Sequence, residues 1–373
     1  MIKRIVLTGG PCAGKTTILS KLEQDLSEKG YKVFIVSESA TELINSGITP
    51  HIDNVGLLNF QKIIFEYQYY KEEMFNKVVD MYKDDKIVII YDRGLMDNMA
   101  YIDDSEFEMI VQNFCVSSGI NLSISDILNR YDMVIHLVTS AGNTGYSLEN
   151  NKARYESEKE AISLDNRIMN VWITHNNLKI VDNKDNFDDK VSEVLDLVYS
   201  CVGETLKIKK EKKFLVNGLI PSKNISDLNG SIMEIEQYYM ATEFEEECRV
   251  RKIEYKYGRD YYYTIQKRDK NGKKIVLFEK SITRENFLHL LDFEVVSSVF
   301  KKRICFTYSG QFCKLDLFSD GLMLLEVEYN NDIDQIVVPE YFNILKDVTN
   351  DDEYKNINIG DNSSEYLVKI LRR

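Results

Sequence analysis

The sequence predicts two dissimilar folds in tandem: an α/β domain built on a parallel sheet with helices on both faces, then a mainly antiparallel β barrel or tunnel. Three observations predict this. In the first half, apolar runs of strand length alternate with segments long enough for helical crossovers. A glycine-rich stretch from Gly9 to Thr16, reading GGPCAGKT, joins the first apolar run to a helix-like run. In the second half, segments such as ECRVRKIEYKY, YYYTIQKR and LMLLEVEY alternate charged with apolar residues, as a closed barrel with a polar interior should. The change falls near residue 205, so the expected domains are 1–205 and 206–373.

The elements follow in order. Ile2 to Leu7 reads as the first strand, and Ile18, Leu19 and Leu22 repeat at helical spacing just beyond the glycine-rich stretch. Further buried strands are expected at Val33 to Val36, Ile87 to Tyr91, Met133 to Val138 and Leu178 to Val181. Leu57 to Met81 is the longest helical candidate, and Phe187 to Val202 forms a last amphipathic helix. The basic run KIKKEKK at 207–213 reads as a linker.

Strand, glycine-rich loop and helix together define a phosphate-binding loop, which makes the first half an expected P-loop NTPase domain. Gly9 and Gly14 let the backbone turn so tightly that its N–H groups converge on an anion, and Gly10 and Ala13 are expected to line the same phosphates. Lys15 would reach the β and γ phosphates, Thr16 would hold Mg2+, and Thr17 continues the first helical turn against the nucleotide. The expected ligand is ATP or GTP with magnesium.

A carboxylate is needed opposite that loop, and KIVIIYDRG supplies Asp92 at the end of the third strand. There it can bind magnesium through water or accept a proton from a hydroxyl. Capping of the next turn is the alternative role for Asp92. Arg93, which follows it, is a candidate substrate contact, Asp97 is a weaker candidate, and Glu38 in VSESATELI is either a substrate-facing acid or a helix cap. After the fourth strand, SAGNTGYS at 140–147 reads as a hinge. Beyond it Lys152, Arg154 and Arg167 stand in a polar segment where cations would neutralise charge on a transferred phosphoryl group. An exposed helix with paired charges would look similar there. Asn183, after the fifth strand, is a positional candidate for base contact.

Composition narrows the classes. The chain carries a formal net charge of -13, and residues 1–206 hold 20 basic against 32 acidic side chains while residues 207–373 hold 27 against 28. That balance argues against a nucleic-acid surface on the first half. No apolar run reaches the roughly 20 residues of a membrane helix, so a cytoplasmic location without a membrane span is expected. The six cysteines and four histidines are scattered, with neither zinc-ligand nor disulfide spacing.

The strings GGPCAGKTT, VSESATELI, YDRGLMDNMAY and YDMVIHLVTSA, with YSLENNKARYES and LDNR, resemble the AAA-type ATPase domain shared by ribosylnicotinamide kinases and the TRPL translocation defect protein family. The resemblance covers about residues 1 to 203. It implies nucleotide binding, GTP included, and for some members a role in membrane traffic; the kinase relatives phosphorylate a ribosyl hydroxyl.

The second half resembles the CYTH, or triphosphate tunnel, family over about residues 207 to 360, through KKEKKFLV, IEQYYM, CRVRK, KLDLF, LLEVEY and DVTNDDEYKN. That family grips a linear triphosphate with basic side chains and binds divalent metal with glutamates. The resemblance implies anion ligands at Arg249, Arg251, Lys267 and Arg303, and cation ligands at Glu279, Asp316, Glu326 and Glu328. Departures are evident. The opening E-x-E-x-K becomes Lys209, Glu211 and Lys213, Lys314 replaces an acid, Leu277 replaces a glutamate, and Gln266 replaces a lysine, with Lys267 beside it. Fewer carboxylates should weaken metal binding while anions are still attracted.

Together these readings lead to the expectation of a magnesium-dependent protein that hydrolyses ATP or GTP slowly. Its tunnel would recognise a polyphosphate or another phosphorylated small molecule. A small-molecule kinase, with Asp92 as base towards a nucleoside-like hydroxyl, is one alternative. The other is a non-catalytic regulator that binds a phosphoinositide or a protein partner.

Overall fold

A computed structural model describes residues 2–52, 55–82, 86–141, 158–217, 230–242, 246–269, 274–330 and 335–360. The chain divides into two compact units, Met1–Val202 and Gly203–Arg373.

The first unit is a five-stranded parallel sheet in the order β2-β3-β1-β4-β5, with β1 Ile2–Gly9, β2 Lys32–Val36, β3 Ile87–Asp92, β4 Met133–Leu137 and β5 Leu178–Val181. Parallel strands need helical crossovers, which cover both faces and make the central strands apolar throughout. Accordingly Ile87 to Tyr91 and Met133 to Leu137 are all buried. Helices α1 (Lys15–Glu28) and α7 (Phe187–Val202) pack on one face, where Ile18, Leu22 and Leu26 meet Val191, Val194 and Val198 over Ile5, Leu7 and Ile135. Burying one such leucine contributes about 1.5–3 kcal/mol. The remaining helices are α2 (Ser39–Asn45), α3 (Gly56–Val79), α4 (Asp104–Ser118), α5 (Ile124–Leu128) and α6 (Glu158–Val171), with a 3-10 turn at Leu95–Tyr101. In the register of β1 on β3, Leu7 lies opposite Asp92, which sets the end of β3 beside the start of the glycine-rich loop.

The second unit is a ten-stranded antiparallel sheet in the order β15-β7-β14-β13-β12-β8-β9-β10-β11-β6. Its strands are β6 Lys207–Lys209, β7 Glu211–Asn217, β8 Ser231–Met240, β9 Glu247–Tyr255, β10 Gly258–Arg268, β11 Lys274–Ser281, β12 Val295–Tyr308, β13 Gln311–Phe318, β14 Met323–Glu328 and β15 Asn343–Asp347. The basic run 207–213 is therefore strand, not linker. The alternation of a strand puts Lys207, Lys209 and Lys213 on one face. β6 pairs with β11 and β7 with β14, although only Lys210 separates them. One end of the sheet, β6, is thus continuous with β7, the strand next to the other end, and the sheet must curl into a tunnel. Helix α8 (Arg284–Leu290) covers the outer face of β8 and β9 with Phe287. Phe342 covers Ile304, Phe306 and Leu315 on the outer face of β12 and β13. A short helix α9 (Asn356–Ile359) follows β15.

Candidate functional site

The glycine-rich loop is shaped by contacts that only glycine permits. Gly9 has φ 141°, and a Cβ there would stand 2.1 Å from the Leu137 carbonyl oxygen. Gly14, at φ 89°, is the left-handed residue that hands the loop to α1. Cys12, at φ 59°, is also left-handed. The end of β4 ties the loop down, with the Thr139 hydroxyl donating to the Pro11 carbonyl and Ser140 Oγ donating to the Cys12 carbonyl at 2.9 Å. Lys15 Nζ donates to the carbonyls of Gly9 and Gly10 at 2.9 and 3.2 Å, folding over the loop it would serve. Ala13 is buried beneath, and Thr16 and Thr17 open to solvent in the first turn of α1.

Around Lys15 stands a compact set of charges. Burial, then the neighbouring Arg93, brings its ammonium down to about 8, against the pull of Glu38, Asp92 and Asp97. Asp92 keeps one buried carboxylate oxygen, Oδ1, without a hydrogen-bond partner. Burial and the nearby Glu38 push its carboxyl up to about 6, with Lys15 and Arg93 opposing. Asp92 is thus a carboxylate held ready for a cation or a proton. Magnesium, which keeps several waters and takes one or two carboxylates plus phosphate oxygens, fits such a donor set. Arg93 has φ 72° and donates from Nε to Glu38 at 2.5 Å, while Thr41 donates to the same carboxylate at 2.6 Å. Although burial opposes it, Arg93 with Lys15 lowers Glu38 to about 2. Glu38 does occupy the N-cap position of α2, but it makes no side-chain cap bond and faces Arg93 instead. Asp97 accepts from Thr8 Oγ1 at 2.5 Å, the Gly94 amide at 2.7 Å and Trp172 Nε1 at 3.3 Å, a structural anchor behind the site.

The α6 residue that reaches the loop is Asp165, which sequence reasoning passed over. It accepts from the Gly10 amide at 2.6 Å and the Thr139 amide at 3.2 Å, and His136 Nε2 lies 3.1 Å away. Despite burial, His136 and the two amides hold its carboxyl below the ordinary range. A signal was present, because Ala161, Leu164, Asp165 and Ile168 share the spacing of one buried helix face. Arg167 is exposed, about 200° around the helix from Asp165. Lys152 and Arg154 lie outside the described residues, as do 142–147 of the expected hinge. Asn183 donates to the Thr139 carbonyl at 2.7 Å and accepts from Lys190 at 2.9 Å, so it braces the end of β4.

In the second unit the pairing gathers one face of β7 to β10 and of β12 to β14 inside the tunnel. Arg251 stands between Gln237 and Tyr262, Arg249 between Tyr239 and Thr264, Asp316 opposite Arg303, and Glu326 between Lys314 and Lys213. Glu279 joins them through a bulge. Gln266 pairs with Val276 but Thr264 with Glu279, and the unpaired Leu277 shifts the phase of β11 so that Glu279 turns inward. Lys267 is a correction to the expected anion ligands: alternation leaves it exposed, and the inward position belongs to Gln266. The four expected cation ligands face bases. Asp316 accepts from Lys301 at 2.6 Å and from Arg303 at 2.6 and 2.7 Å. Glu326 meets Lys213 at 2.9 Å and Arg303 at 3.0 Å, and Glu328 pairs with Lys314. Glu279 lies 3.4 Å from Lys207, 3.9 Å from Lys209 and 3.3 Å from Arg251.

A parallel sheet in this strand order, with a left-handed glycine handing a phosphate loop to α1 and a strand-end aspartate beside it, defines a P-loop nucleotide-binding domain. The chain belongs to the family described as AAA domain, whose profile matches residues 4–190. Among solved structures, an inorganic triphosphatase is 25% identical with a TM-score of 0.29, the alignment covering 40% of this chain and 93% of that one. A thymidylate kinase from Ehrlichia chaffeensis is 15% identical with a TM-score of 0.36, over 53% of this chain and 98% of that one. A putative adenylate cyclase from Bacillus halodurans is 15% identical with a TM-score of 0.26, over 36% and 95% respectively. No curated protein matches the chain. No described helix is long and apolar enough to cross a membrane.

Proposed function

We propose that the first unit binds ATP or GTP with magnesium and hydrolyses it slowly, and that the tunnel of the second binds a polyphosphorylated ligand. The observation that carries the first reading is the orphaned, buried oxygen of Asp92 beside Lys15 at the phosphate loop. Bound magnesium would neutralise charge on the β and γ phosphates, with Thr16 and Asp92 as its protein partners. Lys15 would leave the Gly9 and Gly10 carbonyls for phosphate oxygens, whose charge favours its protonated form. Water attacks the γ-phosphorus as its bond to the β-phosphate oxygen breaks, and the water's proton leaves on the released phosphate. The products are nucleoside diphosphate and phosphate. Slow turnover is expected because Arg93, the arginine beside the loop, is anchored on Glu38 through Nε, although its buried Nη1 has no hydrogen-bond partner.

The test is product analysis by ion exchange after incubation with magnesium and ATP or GTP, for the wild type and Lys15→Ala. Diphosphate formed by the wild type and lost in the variant supports hydrolysis at the loop. Turnover that appears only on adding a riboside acceptor moves Asp92 to the role of base in a kinase. Tight binding with no turnover in either condition leaves a nucleotide-dependent regulator.

A further inference from the structure

The acidic side of the tunnel is already neutralised by the chain itself. Asp316, Glu326 and Glu328 are each engaged by lysine or arginine, and Glu211 pairs with Lys274. Among the described residues no three metal-ligating side chains converge on a common point. A divalent ion bound there would have to displace ammonium groups already seated against the carboxylates, and repulsion from those buried groups opposes it. The residues present therefore do not fit the magnesium site that the tunnel resemblance implies.

The opposite side is a set of bases in search of an anion. Arg249 and Arg251 are each 7% exposed, and each retains a buried Nε without a hydrogen-bond partner. Lys207 and Lys209 share Glu279 with Arg251, so several cations crowd one carboxylate. Burial, opposed by Glu279 but reinforced by repulsion from Arg249 and Arg251, brings Lys209 down to about 7. Arg251 falls to about 10 through burial and then Arg249. Buried donors left unpaired and cations held against mutual repulsion are both relieved by one multiply charged oxyanion.

Resting on the polyphosphate reading above, we propose that the tunnel binds a linear polyphosphate chain without a divalent cation, the ammonium groups of Lys209, Lys213 and Lys314 standing where a metal ion would balance charge. Lys209 occupies the position of the first missing glutamate and Lys213 already contacts Glu326, so the charge balance comes from the fold. Binding, not metal-assisted cleavage, is then the tunnel's role.

The experiment is calorimetric titration of the full chain carrying Lys15→Ala, which removes the phosphate-loop lysine. Sodium tripolyphosphate and ATP are titrated, each in EDTA and in magnesium, to separate an inorganic chain from a nucleotide tail as the source of the phosphates. Tripolyphosphate affinity in EDTA within about threefold of that in magnesium, weakened at least about tenfold by Arg251→Ala, is the expected result. The charge-preserving Arg251→Lys, with the thermal midpoint followed alongside, guards against a variant that fails to fold. A second variant, Lys209→Glu, restores the missing acid and should make binding depend on magnesium. Binding of the parent chain only in magnesium overturns the proposal while the polyphosphate reading stands. No binding of either ligand in either condition overturns the polyphosphate reading and this inference with it.

Discussion

At the scale of single residues, Asp92 carries opposed demands. Its carboxyl titrates near 6 in the folded protein and near 4 in an unfolded chain, so ionising it at neutral pH costs stability. The cost is absent below about pH 4, builds between about 4 and 6, and is complete above that. Asp92→Asn should therefore stabilise the protein by about 2 kcal/mol at pH 8 and hardly at all at pH 4, while lowering turnover at least about a hundredfold. Thermal unfolding at the two pH values, together with steady-state hydrolysis, checks both halves; a loss of stability at pH 8 would show that the carboxylate is a structural cap. Asp92 was legible in the sequence because a strand-end acid opposite a phosphate loop is a pattern of residue types. Asp165 was legible only as a position on the buried face of its helix, because its partner Gly10 lies 155 positions away and no local pattern names such a contact. Lys267 was misplaced for the reverse reason: neighbouring residues in a strand face opposite ways, so conservation of charge one position along does not conserve its direction.

At the scale of elements, the passage from β1 through the loop to α1 depends on Gly14. A Cβ there would lie 2.6 Å from the Phe187 ring, and φ 89° is costly for any other residue. Because the Phe187 ring is partly exposed and can yield, backbone strain is the larger penalty. Gly14→Ala should cost about 1–2 kcal/mol of stability and weaken nucleotide binding more than tenfold, as measured by thermal unfolding and by fluorescent-nucleotide titration. Unchanged affinity would mean that the left-handed turn does not shape the phosphate site. The strands of the first sheet were readable because parallel strands buried on both faces are continuous apolar runs. The segment 207–213 was not, because its dense lysines, of which Lys207, Lys209 and Lys213 face the tunnel, mimic a solvated linker. The bulge at Leu277 was equally hidden: its substitution reads as a lost glutamate, whereas in the fold it is the residue that turns Glu279 inward.

On the scale of the whole molecule, each unit has its own hydrophobic core, around Ile5, Leu22 and Val194 in the first and around Phe306, Leu315 and Val327 in the second. A ligand stabilises the unit that binds it. Scanning calorimetry should therefore resolve two transitions, with magnesium nucleotide raising one and tripolyphosphate the other. A single transition raised by both would show that the units unfold together. The charge distribution is consistent with this division, since nearly all the excess acidity lies in the first half while Lys213, Arg249, Arg251 and Lys301 of the second are buried.

The closure of the tunnel also sets the order in which it can form. The segment that runs from β6 into β7 is the first part of the second unit to leave a ribosome, yet Lys213 donates its amide to Thr349, 136 positions later. Hairpins such as β9–β10 and β12–β13 can assemble as they emerge, but the seam waits for the last strands. Until then β6 and β7 remain a basic strand with both edges open, whose charge discourages pairing with other chains. Folding of this unit should accordingly be slow and rate-limited by one long-range zippering step, as topology of high contact order dictates. The same lysines that arrange the finished lumen would then act earlier as guards of an unfinished seam.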